Sequence, residues 1–291
     1  MKAPDAPVVV GVDGSSSSLA AVKWAAAECG RHHVPLLLVH AYTLPTRGYP
    51  EMVLTGTEIR RAIEDQGRAW LTEAAAAAPG VDVSTELVCD SGTRLLIERS
   101  REARLLVVGS QGLGNVTGLL VGSTAVALAA HGRSPVVVVR GTEVPDGPVV
   151  VGVDGSPTSE AALAFAFEEA SVRGAGLTVV MCWHDFMVES AYTASRFTVD
   201  WKQVEDSEQR LLAERLAGWQ DKYPDVRVHR VVLRDRPVRA LMRYGAEAQL
   251  LVVGSHGRGG FAGMLLGSTS QALVYHSPCP LAIVRQPEAS M

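Results

Sequence analysis

The sequence lacks the features that mark several large classes of protein. Its 291 residues carry a formal net charge of −4, so no excess of lysine and arginine favours nucleic acid or an anionic membrane as a partner. No apolar run reaches the ~20 residues that a membrane-spanning helix requires. The first residues lead into a strand pattern without the apolar core of a signal peptide. These absences predict a cytoplasmic protein with neither a nucleic-acid partner nor a membrane partner.

Cysteine is scarce, and the histidines lack the spacing of metal ligands. The four cysteines are Cys29, Cys89, Cys182 and Cys279. They lie far apart and form no C-x-x-C pair, which favours reduced core thiols over disulfides or a metal site. His32 and His33 are adjacent, so they cannot share one helical face as a pair of ligands would. We expect no metal ion held by protein side chains alone.

What the sequence does contain is an internal repeat. The segment VVVGVDGS at 8–15 recurs at 149–156, an offset of 141 residues. The glycine-rich segment GSQG at 109–112 recurs as GSHG at 254–257, an offset of 145 residues. Because both segments keep their order and nearly their spacing, the whole chain is interpreted as a tandem duplication.

Within each copy, apolar β-branched runs alternate with helical periods. Strands that are apolar on both faces are typical of a parallel sheet covered by helices, and the βαβ alternation indicates a doubly wound α/β fold. Residues 141–148 have turn composition. We therefore predict domains at 1–140 and 149–291 joined by a linker at 141–148. The segments 43–56 and 184–197 are predicted as long loops beside a site, acting either as lids or as ordinary surface loops.

Each copy also places a glycine-rich loop between a strand and a helix. The residues concerned are Gly109, Gly112, Gly122, Ser123 and Thr124 in the first copy, and Gly254, Gly257, Gly267, Ser268 and Thr269 in the second. Glycine lets backbone N–H groups approach phosphate oxygens, and the start of a helix favours anions. The loops lack the lysine of a P-loop and the spacing of a dinucleotide fingerprint. The pattern predicts a phosphate cradle without P-loop catalysis.

One carboxylate follows the first strand of each copy. Asp13 and Asp154 each precede a glycine, and Asp-Gly pairs are common in turns, so a purely structural role is the alternative. In open α/β sheets, however, ligands bind at the carboxyl ends of the strands where the winding direction reverses. If that point lies between the first and fourth strands, Asp13 meets Gly109 and Asp154 meets Gly254. A carboxylate beside an anion cradle suits a nucleotide.

Together these motifs resemble the universal stress protein family in its tandem, ATP-binding form. The family pattern G-x2-G-x9-G-[S/T] occurs in both halves, and the strand ending Val-Asp-Gly-Ser occurs at 12–15 and 153–156. The resemblance covers essentially the whole chain. It implies a five-stranded parallel sheet in each half, with the order 3-2-1-4-5 of adenine nucleotide alpha hydrolase-like proteins, and ATP bound at the carboxyl ends of the strands.

The resemblance also assigns roles to single residues. It implies that Asp13 and Asp154 contact the nucleoside, and that Ala41 and Cys182 meet adenine through backbone atoms. The glycine loops would hold ribose and phosphates, with Mg²⁺ or Mn²⁺ supported mainly by phosphate oxygens. Cys182 differs from its counterpart Ala41, as do Gln111 and Leu113 from His256 and Arg258. Equal affinity of the two sites is therefore open.

The last strand of each half, at 136–139 and 281–284, is an apolar edge that needs a partner. The resemblance suggests that the two halves pair with each other as a pseudo-dimer within one chain. A further homodimer and an unidentified regulatory protein partner are also open.

The leading functional hypothesis is an ATP-binding bacterial regulator of the stress or dormancy response with little or no ATP turnover. Slow hydrolysis stays open because Asp13 and Asp154 could orient a water molecule. An enzyme that transfers adenylyl groups is a second hypothesis, and its serine-rich loop is matched only faintly at 14–18. A scaffold that binds no nucleotide is the third.

Overall fold

The chain forms two compact units. A computed structural model describes residues 5–44, 56–112, 121–183, 201–257 and 265–286. The two units are divided between Arg140 and Gly141. Each has its own parallel sheet and its own core.

The first unit is a five-stranded α/β domain. Its elements are β1 Val8–Gly11, α1 Ser16–His32, β2 Leu36–Tyr42, α2 Gly56–Ala76, β3 Val83–Cys89, α3 Gly92–Arg99, β4 Leu105–Gly109, α4 Ser123–His131 and β5 Val136–Val139. The strand order is β3-β2-β1-β4-β5, and every pair in this series is parallel. The winding reverses between β1 and β4, which places the ends of these strands at a topological switch point.

The second unit repeats this arrangement. Its elements are β6 Val149–Val153, α5 Pro157–Arg173, β7 Leu177–Cys182, α6 Trp201–Lys222, β8 Val228–Leu233, α7 Pro237–Gly245, β9 Leu250–Gly254, α8 Ser268–His276 and β10 Leu281–Val284. The order is β8-β7-β6-β9-β10, again with parallel pairs throughout. Both halves therefore have the predicted order 3-2-1-4-5, and the predicted fold class is confirmed.

The most apolar segments of the chain are the central strands of these sheets. Val8, Val9 and Val10 are at most 1% exposed, and the equivalent Val149–Val151 are fully buried. Full burial of a valine side chain contributes roughly 1.5–3 kcal/mol, which favours a strand covered by helices on both faces. None of the helices in the described part of the chain combines the length and apolar character that crossing a bilayer requires.

The segment predicted as a linker is hydrogen-bonded to the second unit. The backbone N–H of Thr142 donates to the carbonyl of Pro278 at 2.9 Å. The side-chain Nε2 of the buried Gln249 donates to the carbonyl of Gly147 at 2.6 Å. Residues 141–148 are thus held against the second unit, while the predicted bounds of domains and linker stay predictions.

The four cysteines have free thiols, but they are not all in the core. Cys29 and Cys279 are buried, and burial raises the pKa of each thiol to about 12. Cys182 is partly buried, whereas Cys89 is exposed. The prediction of a core thiol is wrong for Cys89, because β3 lies at the edge of its sheet in the first unit and has a neighbour on one side only.

Candidate functional site

The turn after β1 fixes the carboxylate of Asp13. Its Oδ1 accepts hydrogen bonds from the backbone N–H of Ser15 at 3.0 Å and from the Ser15 hydroxyl at 2.6 Å. Ser15 in turn caps α1, since its Oγ accepts from the N–H of Ser18 at 3.1 Å. Gly14 lies between them and has φ +80°, a backbone conformation that residues other than glycine rarely adopt. One carboxylate oxygen of Asp13 therefore stabilises the turn, as expected if Asp13 has a structural role.

The other carboxylate oxygen faces the glycine-rich loop. A Cβ placed on Gly112 would lie 2.6 Å from Oδ2 of Asp13, closer than real side chains allow. The same holds in the second unit, where a Cβ on Gly257 would lie 2.5 Å from Oδ2 of Asp154. The backbone of the loop thus comes directly against the carboxylate in both copies.

The predicted neighbour of Asp13, Gly109, has a different contact. A Cβ on Gly109 would lie 2.6 Å from the backbone carbon of Ser17 in the first turn of α1. Gly254 is similarly close to the backbone of Thr158, at 3.0 Å. These glycines allow the end of the strand to pack against the first turn of the first helix in the same unit. The sequence correctly placed strand and carboxylate at one crevice, but the residue that touches Asp13 is Gly112.

A backbone hydrogen bond closes each glycine loop at its base. The N–H of Gly122 donates to the carbonyl of Ser110 at 2.8 Å, and the N–H of Gly267 donates to the carbonyl of Ser255 at 2.8 Å. This bond brings the start of α4 beside Gly112, whose N atom lies 3.9 Å from a Cβ placed on Gly122. The first N–H groups of a helix have no partner within it and attract anions. The loop and the helix start therefore form one concave surface.

In the first unit this surface is part of a cavity of about 610 Å³. All seven residues predicted for the first site line it, namely Asp13, Ala41, Gly109, Gly112, Gly122, Ser123 and Thr124. Apolar side chains, including Val39, Leu95 and Val108, line the cavity as well. The volume falls in the range of small-molecule sites, about 300–1,000 Å³, and the mixture of apolar walls with few polar groups is typical of them.

Two aromatic rings in this cavity were not predicted from the sequence. Trp70 projects from α2, and His40 lies on β2 with its Nδ1 2.7 Å from the carbonyl oxygen of Val12. Their rings meet edge to face, with centroids 5.2 Å apart and planes at 78°. A histidine inside an apolar strand is a detectable signal. Trp70 had none, because helical periodicity does not show which side chain reaches the end of a neighbouring strand.

The predicted residues of the second site occupy equivalent places. Cys182 ends β7 opposite Leu233, as Ala41 lies near the end of β2 opposite Val88. Burial, with a smaller effect from Asp235, raises the pKa of the Cys182 thiol to about 11. Ser268 begins α8 as Ser123 begins α4.

Hydrogen bonds from two helices of the second unit, α5 and α8, hold its glycine loop. The hydroxyl of Thr158 donates to the carbonyl of His256, and the hydroxyl of Ser270 donates to the carbonyl of Gly254 at 2.6 Å. Thr269 follows Ser268 in the first turn of α8. These bonds hold the backbone of the second loop in place beside Asp154.

Some residues that the sequence singles out lie outside the described part of the chain. They are Leu113 and Arg258 in the glycine loops, and the loop segments 45–55 and 184–197.

Comparison with known proteins identifies the family. A model of the universal stress protein family matches this chain twice, at residues 6–140 and 147–285. The chain belongs to the universal stress protein family. Each matched segment contains one carboxylate turn and one complete glycine loop.

Other universal stress proteins resemble the chain over nearly its whole length. One from Mycolicibacterium smegmatis is 42% identical over 289 residues, covering 96% of both chains. One from Mycobacterium tuberculosis is 42% identical over 296 residues, covering 96% of this chain and 97% of its own. The crystal structure of a universal stress protein from Archaeoglobus fulgidus has a TM-score of 0.68 at 19% identity, covering 97% of this chain and 99% of its own. The last comparison shows that the fold is shared.

In this universal stress protein, hydrogen bonds to Glu64 connect the helix α2 to the end of the strand β2 beside the site. Tyr42, at the end of β2, donates its hydroxyl to Oε1 of Glu64 at 2.5 Å, and Nε of Arg60 donates to the same oxygen at 2.8 Å. The Tyr42 hydrogen bond, followed by that of Arg60, lowers the pKa of Glu64 to about 2. A carboxylate whose pKa is lowered by folding stabilises the fold above its ordinary pKa near 4.3, and that contribution is lost as pH falls toward 2.

Substituting Glu64→Gln should therefore lower the thermal unfolding temperature at neutral pH and flatten its decline between about pH 4.3 and pH 2. Thermal unfolding at a series of pH values measures both effects. Glu73→Gln, on the same helix, is the matched control, since that side chain is exposed and is not among the hydrogen-bond partners of Glu64. Parallel pH curves for wild type and Glu64→Gln would show that this network does not couple protonation to stability.

Proposed function

We propose that this chain binds ATP at the carboxyl ends of its strands and acts as a nucleotide-dependent regulator with little or no turnover. One observation carries the proposal. In the first unit, a carboxylate oxygen of Asp13 lies against Gly112 inside a 610 Å³ cavity that also includes the start of α4. A hydroxyl-binding group and an anion-binding backbone thus share one cavity, which matches the two chemical ends of a nucleotide.

Each part of ATP has a suitable group in this cavity. Asp13 accepts hydrogen bonds from ribose hydroxyls or an amino group, and Ala41 with Leu95 provides an apolar wall for adenine. The phosphates bind to the backbone of Gly112 and to the start of α4 at Gly122 and Ser123. A side chain at Gly112 would separate this loop from the Asp13 carboxylate, so glycine is needed for the two to meet in one cradle. Mg²⁺, when bound, would neutralise phosphate charge and be held mainly through phosphate oxygens, beside Ser123.

The same lining supports slow or absent turnover. Among the described residues of the cavity wall there is no lysine or arginine to stabilise charge on a transferring phosphoryl group. Asp13 is engaged in its turn through Oδ1, which limits its use as a base for water. These features support a binding protein over an ATPase, and we propose that its nucleotide state changes its contacts with a protein partner.

Native mass spectrometry and calorimetry of the purified chain test this proposal. We expect Mg-ATP to bind with two molecules per chain, and expect Asp13→Ala and Asp154→Ala each to weaken one of the two sites by about 10-fold to 100-fold, the loss typical of a hydrogen bond to a charged group. Phosphate release should stay far below the roughly 1–10³ turnovers per second of typical enzymes. Binding of AMP or cyclic AMP in preference to ATP would redirect the proposal to those nucleotides. Absence of binding at millimolar ATP would favour the scaffold.

The same spectra test the remaining assembly predictions. A homodimer predicts a mass of two chains, and a chain that does not self-associate predicts a mass of one. A change in this mass on adding ATP would link the nucleotide state to assembly. We also propose a cytoplasmic location, which fractionation of the source cells would test.

A further inference from the structure

The two units differ at one position on the helix before the edge strand, and in the first unit this position holds a side chain that lines the cavity. Leu36 pairs with Val83 in the first unit and Leu177 with Val228 in the second, so the two edge strands have equivalent registers. Counting back from these strands, the buried Leu71 of α2 corresponds to the buried Leu216 of α6. The residue before each leucine is Trp70 in the first unit and Arg215 in the second.

Trp70 covers the carboxylate turn. Its ring atoms lie 2.3–2.6 Å from where a Cβ on Gly14 would be, so the ring is in contact with the backbone that follows Asp13. The ring is half-buried, packs edge to face with His40, and lines the same cavity as Ala41. An aromatic surface thus contacts the residue after Asp13 and the residue before Ala41, in the same cavity.

The second unit has different chemistry at these positions. Arg215 forms an ion pair with Glu160 in the first turn of α5. Met181, which corresponds to His40, is 2% exposed. An ion pair and a thioether therefore replace the tryptophan and histidine of the first unit.

We propose that Trp70 determines the base specificity of the first site, by stacking on the purine of a nucleotide bound beside Ala41. The first unit then holds purine nucleotides more tightly than pyrimidine nucleotides, and more tightly than the second unit holds either. The inference rests on the proposed nucleotide binding. Contact between a base and an aromatic side chain typically changes affinity by about 5-fold to 100-fold, and the larger ring system of a purine has more area to stack.

The test compares ATP and CTP at each site separately in the full chain. Gly257→Val blocks the second cradle through its clash with Asp154 and leaves the first site for measurement, while Gly112→Val does the converse. In the Gly257→Val background, Trp70→Leu should weaken ATP about 10-fold and reduce the ratio of ATP to CTP affinity to near one. Trp70→Phe should restore most of the preference. Arg215→Leu in the Gly112→Val background is the matched control and should leave the ratio at the second site unchanged.

The outcomes separate the two proposals. If the Gly257→Val chain binds ATP and Trp70→Leu leaves its preference for ATP over CTP intact, the role of Trp70 is wrong while nucleotide binding stands. If the wild-type chain binds neither nucleotide, the proposed function itself fails. Circular dichroism of each variant checks folding, and Trp70→Phe keeps the test valid should the leucine variant unfold. A restored preference in the phenylalanine variant would not be expected of a residue with a packing role alone.

Discussion

Replacing Gly112 with valine is expected to abolish ATP binding in the first unit and to leave one molecule of ATP bound per chain. A Cβ at this position lies 2.6 Å from Oδ2 of Asp13, so the loop and the carboxylate must separate, and the branched methyl groups of valine fill the space left for a phosphate. We expect affinity at this site to fall more than about 100-fold, since both the nucleoside contact and the backbone cradle are displaced. Native mass spectrometry counts the bound nucleotides directly.

Two further variants make this result specific. Gly257→Val should remove the other ATP molecule, because its Cβ lies 2.5 Å from Oδ2 of Asp154, and the double variant should bind none. Gly30→Ala on α1 is the control for glycine replacement, since a Cβ there meets no atom within 4 Å. Retention of two ATP molecules by the Gly112→Val chain would show that the cradle is not at this loop.

Replacing Gly141 with alanine should destabilise the second unit by about 3 kcal/mol. Gly141 has φ +64°, and a Cβ would lie 1.9 Å from the backbone oxygen of Pro278. The left-handed conformation costs an alanine about 1–2 kcal/mol, and forcing a methyl group into a packed position adds about 1–3 kcal/mol. Thr142, whose N–H donates to the same carbonyl, would lose that bond if the segment moved. Hydrogen exchange of peptides from β6 and β10 measures the effect in the second unit.

The control for this prediction separates conformational strain from steric clash. Gly174, at the end of α5, also has positive φ, at +60°, but a Cβ there has no atom within 4 Å. Gly174→Ala should therefore cost only the strain, about 1–2 kcal/mol. Equal protection against exchange in the two variants would mean that the contact between Gly141 and Pro278 relaxes without cost.

The fold was predictable because its determinants are local and repeated. Runs such as Val8–Val10 and Val149–Val151 are apolar on both faces, and parallel strands need helical crossovers, which restricts the topology severely. The family resemblance supplied the strand order. The exposure of Cys89 was missed because apolar composition does not show which strand lies at the edge of a sheet.

For the first unit, the sequence predicted residues that line the cavity, but not which of them contact each other. Asp13 and the glycine loop were expected to meet, since the carboxyl ends of β1 and β4 are adjacent in the sheet. Gly112 rather than Gly109 lies against the carboxylate, in a loop that the hydrogen bond between Gly122 and Ser110 closes. This closure is a property of the folded loop. The presence of Trp70 in the cavity depends in addition on how α2 packs against the sheet, and the periodicity of the sequence does not determine that packing.

The most direct test of nucleotide binding is a crystal structure of the full chain grown with Mg-ATP. We predict adenine beside Ala41, a nucleoside hydroxyl or amino group within 3.2 Å of Asp13, a distance set by ordinary hydrogen-bond geometry at roughly 2.7–3.2 Å, and phosphates at Gly112 and the start of α4. A well-ordered cavity without nucleotide at millimolar ATP, or ATP bound away from Asp13 and Gly112, would contradict it.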